Sequence, residues 1–254
     1  MLNIIMPLGI QSTFFEGSNY PFPMPLVEIR GKPMIQNVIE NLSLISSEKC
    51  FIFILRDEDC LRYHLDSTIR LLVGDNCVII KLATPTMGAP CSAMLAIEHI
   101  DNDDPILIVN GDQILDVDLD EYLAQFQIMQ ADAGCLIFNS VHPRWSYVRL
   151  EDKDNIIETA VKHPISKNAI AGLYYFAHGS DFILAAQRTI GKGACIDDVY
   201  YVASVLNEMV LMNRRLKALS MPDNSYHTFY SPKKIEEFEM RSNRLPKVRS
   251  ADIN

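Results

Sequence analysis

Residues 105–118 read PILIVNGDQILDVD (Pro105 to Asp118), and the fold can be read outward from them. Ile106, Leu107, Ile108 and Val109 are four consecutive apolar residues without polar alternation. Such a run suits a strand covered on both faces, as in a parallel sheet packed between helices. In sheets of that kind ligands bind beyond the carboxyl ends of the strands. Asn110, Gly111 and Asp112 stand at that end. Gly111 permits a tight backbone turn there, and Asp112 can offer a hard oxygen ligand to Mg²⁺. Asn-Gly is equally an ordinary surface-turn signal, so the stretch by itself leaves both readings open.

Upstream, strand and helix patterns alternate. Asn3 to Leu8 is a short apolar strand, and Gly9 to Pro25 is a polar loop whose prolines at 21, 23 and 25 exclude helix. Pro33 suits a first helical position, and Ile35, Val38, Ile39 and Leu42 then fall on one helical face. CFIFIL (Cys50 to Leu55) and CVIIKL (Cys77 to Leu82) read as two more buried strands, separated by a helix around Leu61, Leu65, Ile69 and Leu72. After the loop TPTMGAP, Ser92 to Ile100 is expected to be helical. This alternation implies right-handed crossovers and an α/β fold: a Rossmann-like, mostly parallel sheet flanked by helices.

Downstream, a helix from Leu119 to about Met129 leads into the strand CLIFNSV. YVRLE, NIIETAVK and AIAGLYYFA are short β runs between turn residues, which predict an antiparallel β extension beside the parallel sheet. Helices at about Asp181–Ile190, Val199–Met212 and Pro232–Arg241, with a strand LKALSM, complete a single domain over residues 1–241; residues 242–254 read as a loose tail.

Composition narrows the function classes. With 48% hydrophobic and 22% charged residues among 254, the chain is neither disordered nor of a membrane class. No apolar run reaches the roughly 18 to 20 residues of a membrane span. The N-terminus MLNIIMPLGI lacks the marks of a secretory signal, so a cytoplasmic protein is expected. A net charge of −9 argues against a phosphate-neutralising nucleic-acid surface. The six cysteines include no Cys-x-x-Cys pair and read as reduced core residues rather than zinc ligands.

Five segments in order carry a family resemblance: PLVEIRGKPMIQNVIENL (25–42), TMGAPCSAMLA (86–96), VNGDQILDVD (109–118), HPRWSYVRL with VKHPISKNAIAGLYYF (142–176), and DVYYVASVLNEM (198–209). Together they resemble the sugar-1-phosphate nucleotidyltransferases, in particular the small bacterial type found with capsule and lipopolysaccharide genes. The resemblance implies a GT-A-like nucleotidyltransferase fold with a nucleotide-binding half over about 1–130 and a sugar-binding half over 131–241. It implies a reaction in which a sugar-1-phosphate attacks the α-phosphate of a nucleoside triphosphate and expels pyrophosphate, with Mg²⁺ as cofactor. The implied partners are those two small molecules, with no nucleic acid and no membrane; a homo-oligomer or a partner enzyme is compatible.

By the same resemblance Asp112 is the metal-binding catalytic aspartate, and Lys162 the lysine that meets the sugar phosphate. Leu8, Gly9, Thr86, Gly88, Ala89, Ser92 and Gly111 fall in the nucleotide-binding positions. Tyr147, Gly172 and Asp198 fall in the substrate-binding ones, with Trp145 and Asp197 beside them. Each has a plainer alternative, such as a strand-to-helix turn for Thr86 and Gly88, a crowded strand for Gly172, or favourable helix-start charges for Asp197 and Asp198.

The pattern is also broken. The family's nucleotide loop has the form Ala-Gly-x-Gly-x-Arg-Phe, followed by Pro-Lys-Pro-Leu. Here Gly9 to Phe15 reads GIQSTFF and Pro23 to Leu26 reads PMPL, so both loop glycines are gone, the arginine is Phe14 and the lysine is Met24. These cations are the ones expected to neutralise the triphosphate. Val161 replaces a glutamate, and His227 to Pro232, HTFYSP, stands where many members carry a second metal aspartate. Arg30 and Lys32 are nearby candidates for a replacement cation. Three functions follow as expectations: an active nucleotidyltransferase with a rearranged loop, a non-catalytic sugar-phosphate or nucleotide-binding relative, or a glycosyltransferase using Asp116-x-Asp118.

Overall fold

The unbroken apolar runs do form covered strands. The computed structural model describes residues 1–9, 22–74 and 76–242. The substituted loop positions Ile10 to Phe15, and the tail from residue 243, lie outside the described residues. The first half runs β1 (Leu2–Leu8), the small hairpin β2 (Glu28–Ile29) and β3 (Lys32–Pro33), α1 (Met34–Ser43), β4 (Lys49–Arg56), α2 (Asp57–Tyr63), α3 (Leu65–Val73) and β5 (Cys77–Leu82). It continues through α4 (Ala89–Ala93), α5 (Ile97–Ile100), β6 (Ile106–Val109), β7 (Gln113–Leu115) and α6 (Leu119–Ile128). The second half contains β8 (Ala133–Asn139), β9 (Ser146–Glu151), β10 (Asn155–Val161), β11 (Asn168–Phe176), α7 (Gly179–Gly191), α8 (Val202–Leu211), β12 (Leu216–Ser220), β13 (Tyr226–Thr228) and α9 (Pro232–Ser242).

One nine-stranded sheet has the order β5-β4-β1-β6-β11-β8-β12-β10-β9. Its first four strands are parallel, with Ile5 in register between Ile52 and Ile108. The strand AIAGLYYFA, expected in an extension beside this sheet, instead fills its centre. β11 runs antiparallel between β6 and β8, and eight of its nine residues are buried. A strand enclosed in this way carries no alternation to show where it lies. β9 and β10 do form the expected antiparallel margin.

Strand parity divides the core between the two faces. Ile5, Ile52 and Ile108 pack with Phe182 of α7 and Leu206 of α8 on one side. Met6, Phe53 and Leu107 pack with Ile35 of α1, Ile69 of α3 and Phe126 of α6 on the other. A third cluster of Val27, Ile29, Met34, Phe229, Ile235 and Phe238 ties the β2–β3 hairpin to β13 and α9.

Three helical expectations need correction. The segment from 57 to 73 is two helices broken at His64, which has φ 54°, and Leu61 is 72% exposed rather than facing the core. Ser92 to Ile100 is not one helix: α4 and α5 are joined by a 3-10 turn at Met94–Ala96. Pro33 ends β3 and caps α1 instead of opening it.

Candidate active site

The acid comes from the turn that ends β6. Gly111 leaves room there for its neighbour, because a Cβ would overlap the end of the Leu8 side chain on β1 and make it move. Asp112 follows, partly buried, with its carbonyl accepting from Phe229 N at 2.7 Å. Burial raises its carboxyl to about 6, opposed by its own backbone N–H and by the Arg144 charge.

Beneath Asp112 lies a buried polar network. Gln113, 1% exposed, donates Nε2 to the Gly172 carbonyl at 3.0 Å, and its Oε1 accepts from the Tyr226 hydroxyl at 3.2 Å. Asn110 N reaches the same Gly172 carbonyl at 3.0 Å. Gly172 adopts φ +65°, and a Cβ on it would overlap both the Asn110 amide and Gln113 Oε1. The β11–β8 register shifts between Ile170 and Tyr174, so Gly172 sits in a bulge that aims its carbonyl at these amides. The glycine read as facing a sugar is thus first required by the chain's own side chains. Replacing Gln113 with Leu is expected to lower stability by about 1–3 kcal/mol, because the Gly172 carbonyl and Tyr226 hydroxyl lose a buried partner; denaturant melts of the variant check this.

The segment 86–92 is also tied internally. Thr86 Oγ1 and Ser92 Oγ are 2.6 Å apart, Thr86 Oγ1 bonds the Gly88 carbonyl at 3.1 Å, and Ser92 is fully buried. Ala89 opens α4 and is half-buried. Gly88 has φ +128°, and Tyr200 N donates to the Met87 carbonyl at 2.7 Å. A Cβ at Gly88 would overlap the Tyr200 carbonyl oxygen and lie 2.9 Å from its nitrogen. Its close backbone approach is therefore to residue 200. Gly9 similarly abuts the Leu82 side chain.

Lys162 follows the last residue of β10 at φ 55° and is exposed. Its Nζ bonds Asp197 Oδ2 at 2.8 Å and lies 5.7 Å from the Tyr201 ring. Asp197 first, and Tyr201 second, hold the ammonium above its ordinary range. Asp197, not Asp198, is thus the acid placed against the lysine. Neither opens a helix: α8 starts at Val202, and the two aspartates, both at positive φ, form the tip of a turn bridged by Ile196 and Val199. Tyr147 is also corrected. It is fully buried, with its hydroxyl donating to the His142 carbonyl at 2.6 Å, so its ring meets the core rather than a ligand.

Beside Asp112 the structure opens a cleft of about 520 Å³ between the loop before β9, β13 and α9. Arg144, Trp145, Tyr226, Thr228, Tyr230 and Arg241 are among its walls. The Arg144 guanidinium lies 3.1 Å from the Tyr230 ring centroid and 5.3 Å from that of Trp145. Trp145 is expected from sequence beside the substrate-binding residues, and Thr228 and Tyr230 lie in the HTFYSP run, whereas Arg144, Tyr226 and Arg241 carry no assigned role there. The one available signal was the run of hydrogen-bonding and aromatic residues around HTFYSP.

Among the described residues no group of three or more His, Cys, Asp or Glu side chains could hold a metal ion, so Mg²⁺, expected on Asp112, would take its other ligands from water and substrate phosphates. The residue opposite Gln113 in register is the neutral Thr228, and the charge acting on Asp112 is the cation Arg144. The two candidate replacement cations are elsewhere. Lys32 is paired with Glu40 at 2.7 Å, and Arg30 lies 4.0 Å over the Phe238 ring. Met24, which stands where the family has lysine, packs onto the cluster of Val27, Phe229 and Phe238. Asp118 caps α6, accepting from Asp120 N at 3.0 Å and Glu121 N at 3.3 Å.

A parallel half-sheet, an acid at the end of its fourth strand, and a helix start and a lysine beyond the same edge make an α/β protein whose carboxyl edge is the candidate site. The chain belongs to the nucleotidyl transferase family, whose model matches residues 20–192. A curated relative, the bifunctional protein GlmU of Methanocaldococcus jannaschii, is 28% identical over 157 residues, which are 61% of this chain and 35% of the relative. The chain therefore spans about a third of that relative's length. Among solved structures, a nucleoside-diphosphate-sugar pyrophosphorylase from Vibrio cholerae superposes with a TM-score of 0.79 at 21% identity, covering 94% of this chain and 100% of the other. A UDP-glucose pyrophosphorylase complexed with UDP-glucose gives 0.74 at 15%, covering 96% and 98%. A putative glucose-1-phosphate thymidylyltransferase from Bacillus anthracis gives 0.72 at 15%, covering 96% of each chain. These likenesses show the fold. Among the described residues no helix is long and apolar enough to cross a membrane.

Proposed function

We propose that this protein transfers a nucleotidyl group from a nucleoside triphosphate to a sugar-1-phosphate, in the supply of activated sugars for surface glycans. A phosphate oxygen of the sugar attacks the α-phosphorus, the bond to the β-phosphate breaks, and pyrophosphate leaves. The observation that carries this reading is the joint at Asp112: an acid at the end of a parallel strand, fixed by Gln113, Gly172 and Asn110 across a bulged antiparallel strand. Chemistry of this kind depends on positioning more than on covalent work, and the hydrogen bonds of Gln113 and Asn110 to the Gly172 carbonyl brace the turn that carries Asp112. Lys162, oriented by Asp197, is the residue we assign to the sugar phosphate. The pyrophosphorylase and thymidylyltransferase names among the structural neighbours support the same substrate class.

The test is pyrophosphate release by the full chain against a matrix of the common nucleoside triphosphates and sugar-1-phosphates. Release with at least one pair, lost in Lys162→Met, is the expected result; silence across the matrix overturns the reading.

A second reading, a binding protein without turnover, is favoured by Met24, whose side chain joins an apolar cluster where the family places a cation. It expects thermal stabilisation by a nucleotide-sugar and none by a triphosphate. The glycosyltransferase reading loses support, because Asp118 is engaged as a helix cap.

A further inference from the structure

We infer that a cavity at the amino edge of the sheet, floored by Tyr175 and rimmed by Glu48, binds a small amphipathic amine, with the Tyr175 hydroxyl bonded to a polar group at the ligand's inner end and Glu48 facing its ammonium. The cavity has a volume of about 270 Å³ and lies where α6 meets the starts of β1, β4 and β6. Its floor is Leu2, Leu123 and Tyr175, all buried, and Pro105 forms one side. Glu48 and Gln127 are exposed and stand at the mouth. β6 spans Ile106–Val109, roughly 13 Å, and the Asp112 turn follows its far end, on the opposite edge of the sheet. The ligand is therefore not a reactant at that turn.

Tyr175 is the reason to expect a ligand there. Its ring is stacked on Phe126, with centroids 5.0 Å and planes 5° apart, and the residue is only 4% exposed. Among the described residues its hydroxyl has no hydrogen-bond partner, and burial alone pushes it above the usual phenol range. Buried polar groups in folded proteins nearly always have a partner. Among the described residues only Asn3 Nδ2 is both unpartnered and wholly enclosed, so the Tyr175 oxygen meets open space. The cavity is that space. A bridging water needs two or more polar partners, and the side chains of Leu2, Leu123 and Pro105 offer none. The stack fixes the ring, so a partner has to come to the hydroxyl.

The mouth sets the other end of the ligand. Glu48 makes no ion pair among the described residues, whereas the cations beside it are engaged: the Met1 amino group by Asp104 at 3.0 Å, and the Lys49 ammonium by the Ile45 carbonyl. An unmatched carboxylate beside an apolar hollow selects a cation, and Gln127 adds an amide to the same rim. The volume is below that of most sites for drug-sized molecules, which sets the ligand at about ten non-hydrogen atoms. Its class is therefore a short apolar body with a hydrogen-bonding group at one end and an ammonium at the other.

Ligand-observed NMR titration of the full chain with tyramine tests this, because tyramine carries a phenol at one end and an ammonium at the other. Phenethylamine lacks the phenol oxygen, and tyrosol replaces the ammonium by a neutral hydroxyl. Saturable tyramine binding is expected with a Kd of about 1 mM or below. Phenethylamine is expected to bind about 5-fold more weakly, and tyrosol about 3-fold more weakly, since the rim carboxylate is solvated. Tyr175→Phe is expected to remove the preference over phenethylamine and keep the preference over tyrosol; Glu48→Gln is expected to do the reverse. Because Tyr175→Phe removes a hydroxyl without a partner, its melting temperature is expected to equal or exceed that of wild type. Three results would each overturn the proposal. The first is no saturable binding of tyramine up to about 10 mM. The second is either preference surviving in the variant expected to remove it, which would place tyramine elsewhere on a protein of net charge −9. The third is a melting temperature several degrees lower in Tyr175→Phe, which would show the hydroxyl already satisfied within the protein.

Discussion

Gly88→Ala is expected to lower the melting temperature of this protein by about 10 °C. The added methyl group would overlap the Tyr200 carbonyl oxygen, and the backbone there has φ +128°, outside the range that L side chains readily adopt. Both obstacles are backbone, so no rotamer change relieves them. A clash of this kind combined with a forced positive φ belongs among the severe point mutations, at about 3–5 kcal/mol. For a chain of this size each kcal/mol moves the midpoint by about 2–4 °C. Differential scanning fluorimetry of the ligand-free protein reads the effect directly. The result also separates two roles for the residue. A glycine kept small only to admit a nucleobase would lose affinity and retain stability, whereas one kept small for Tyr200 loses stability before any ligand is added.

Asp112→Asn is expected to move stability in the opposite direction and only at neutral pH. Burial raises the Asp112 carboxyl from 3.8 to about 6. The native state therefore holds this proton more tightly than the unfolded chain does. Below about 4 both states are protonated and the position costs nothing. As pH rises through the window from about 4 to 6 the unfolded chain releases its proton first, stability falls, and above 6 the full cost is present. Two pKa units correspond to at most about 3 kcal/mol, less to the degree that this partly buried carboxyl keeps contact with water. Asparagine keeps the shape and removes the charge. The variant should therefore melt several degrees above wild type at pH 7.5, and the gap should close toward pH 4. A variant no more stable than wild type at pH 7.5 would show that Asp112 carries no such strain. Pyrophosphate release, where wild type shows it, should drop in the same variant.

The sequence was most informative where burial and periodicity coincide. Ile106 to Val109, Cys50 to Leu55 and the face of Ile35, Val38, Ile39 and Leu42 all have the predicted form, because an apolar run or stripe has few alternatives in water. It was misleading where tertiary packing decides. Leu61 fits a helical spacing and points to solvent, and the strand 168–176 bears no mark of its central position. In the site, the short motifs located the carboxyl edge but assigned some glycines to ligands that are needed by the chain itself. Gly88 answers to Tyr200 and Gly172 to Asn110 and Gln113. Arg144 was invisible for a different reason. It is separated from Asp112 by more than thirty residues, and only the pairing of β13 with β7 brings its cleft alongside.

The central position of β11 also orders events during synthesis. Ile106 to Val109 can pair with β1 on one side as soon as it is made, but its other edge has no partner until Asn168 to Phe176 leaves the ribosome. For that interval the nascent chain carries a bare, wholly apolar strand edge, the kind of surface that recruits other strands. β8 waits in the same way for β11, and only then can the two halves of the sheet join. Closing a connection of about sixty residues is a slow, entropy-limited step, so the strand that holds the Gly172 bulge is also the one whose arrival commits the chain to its fold.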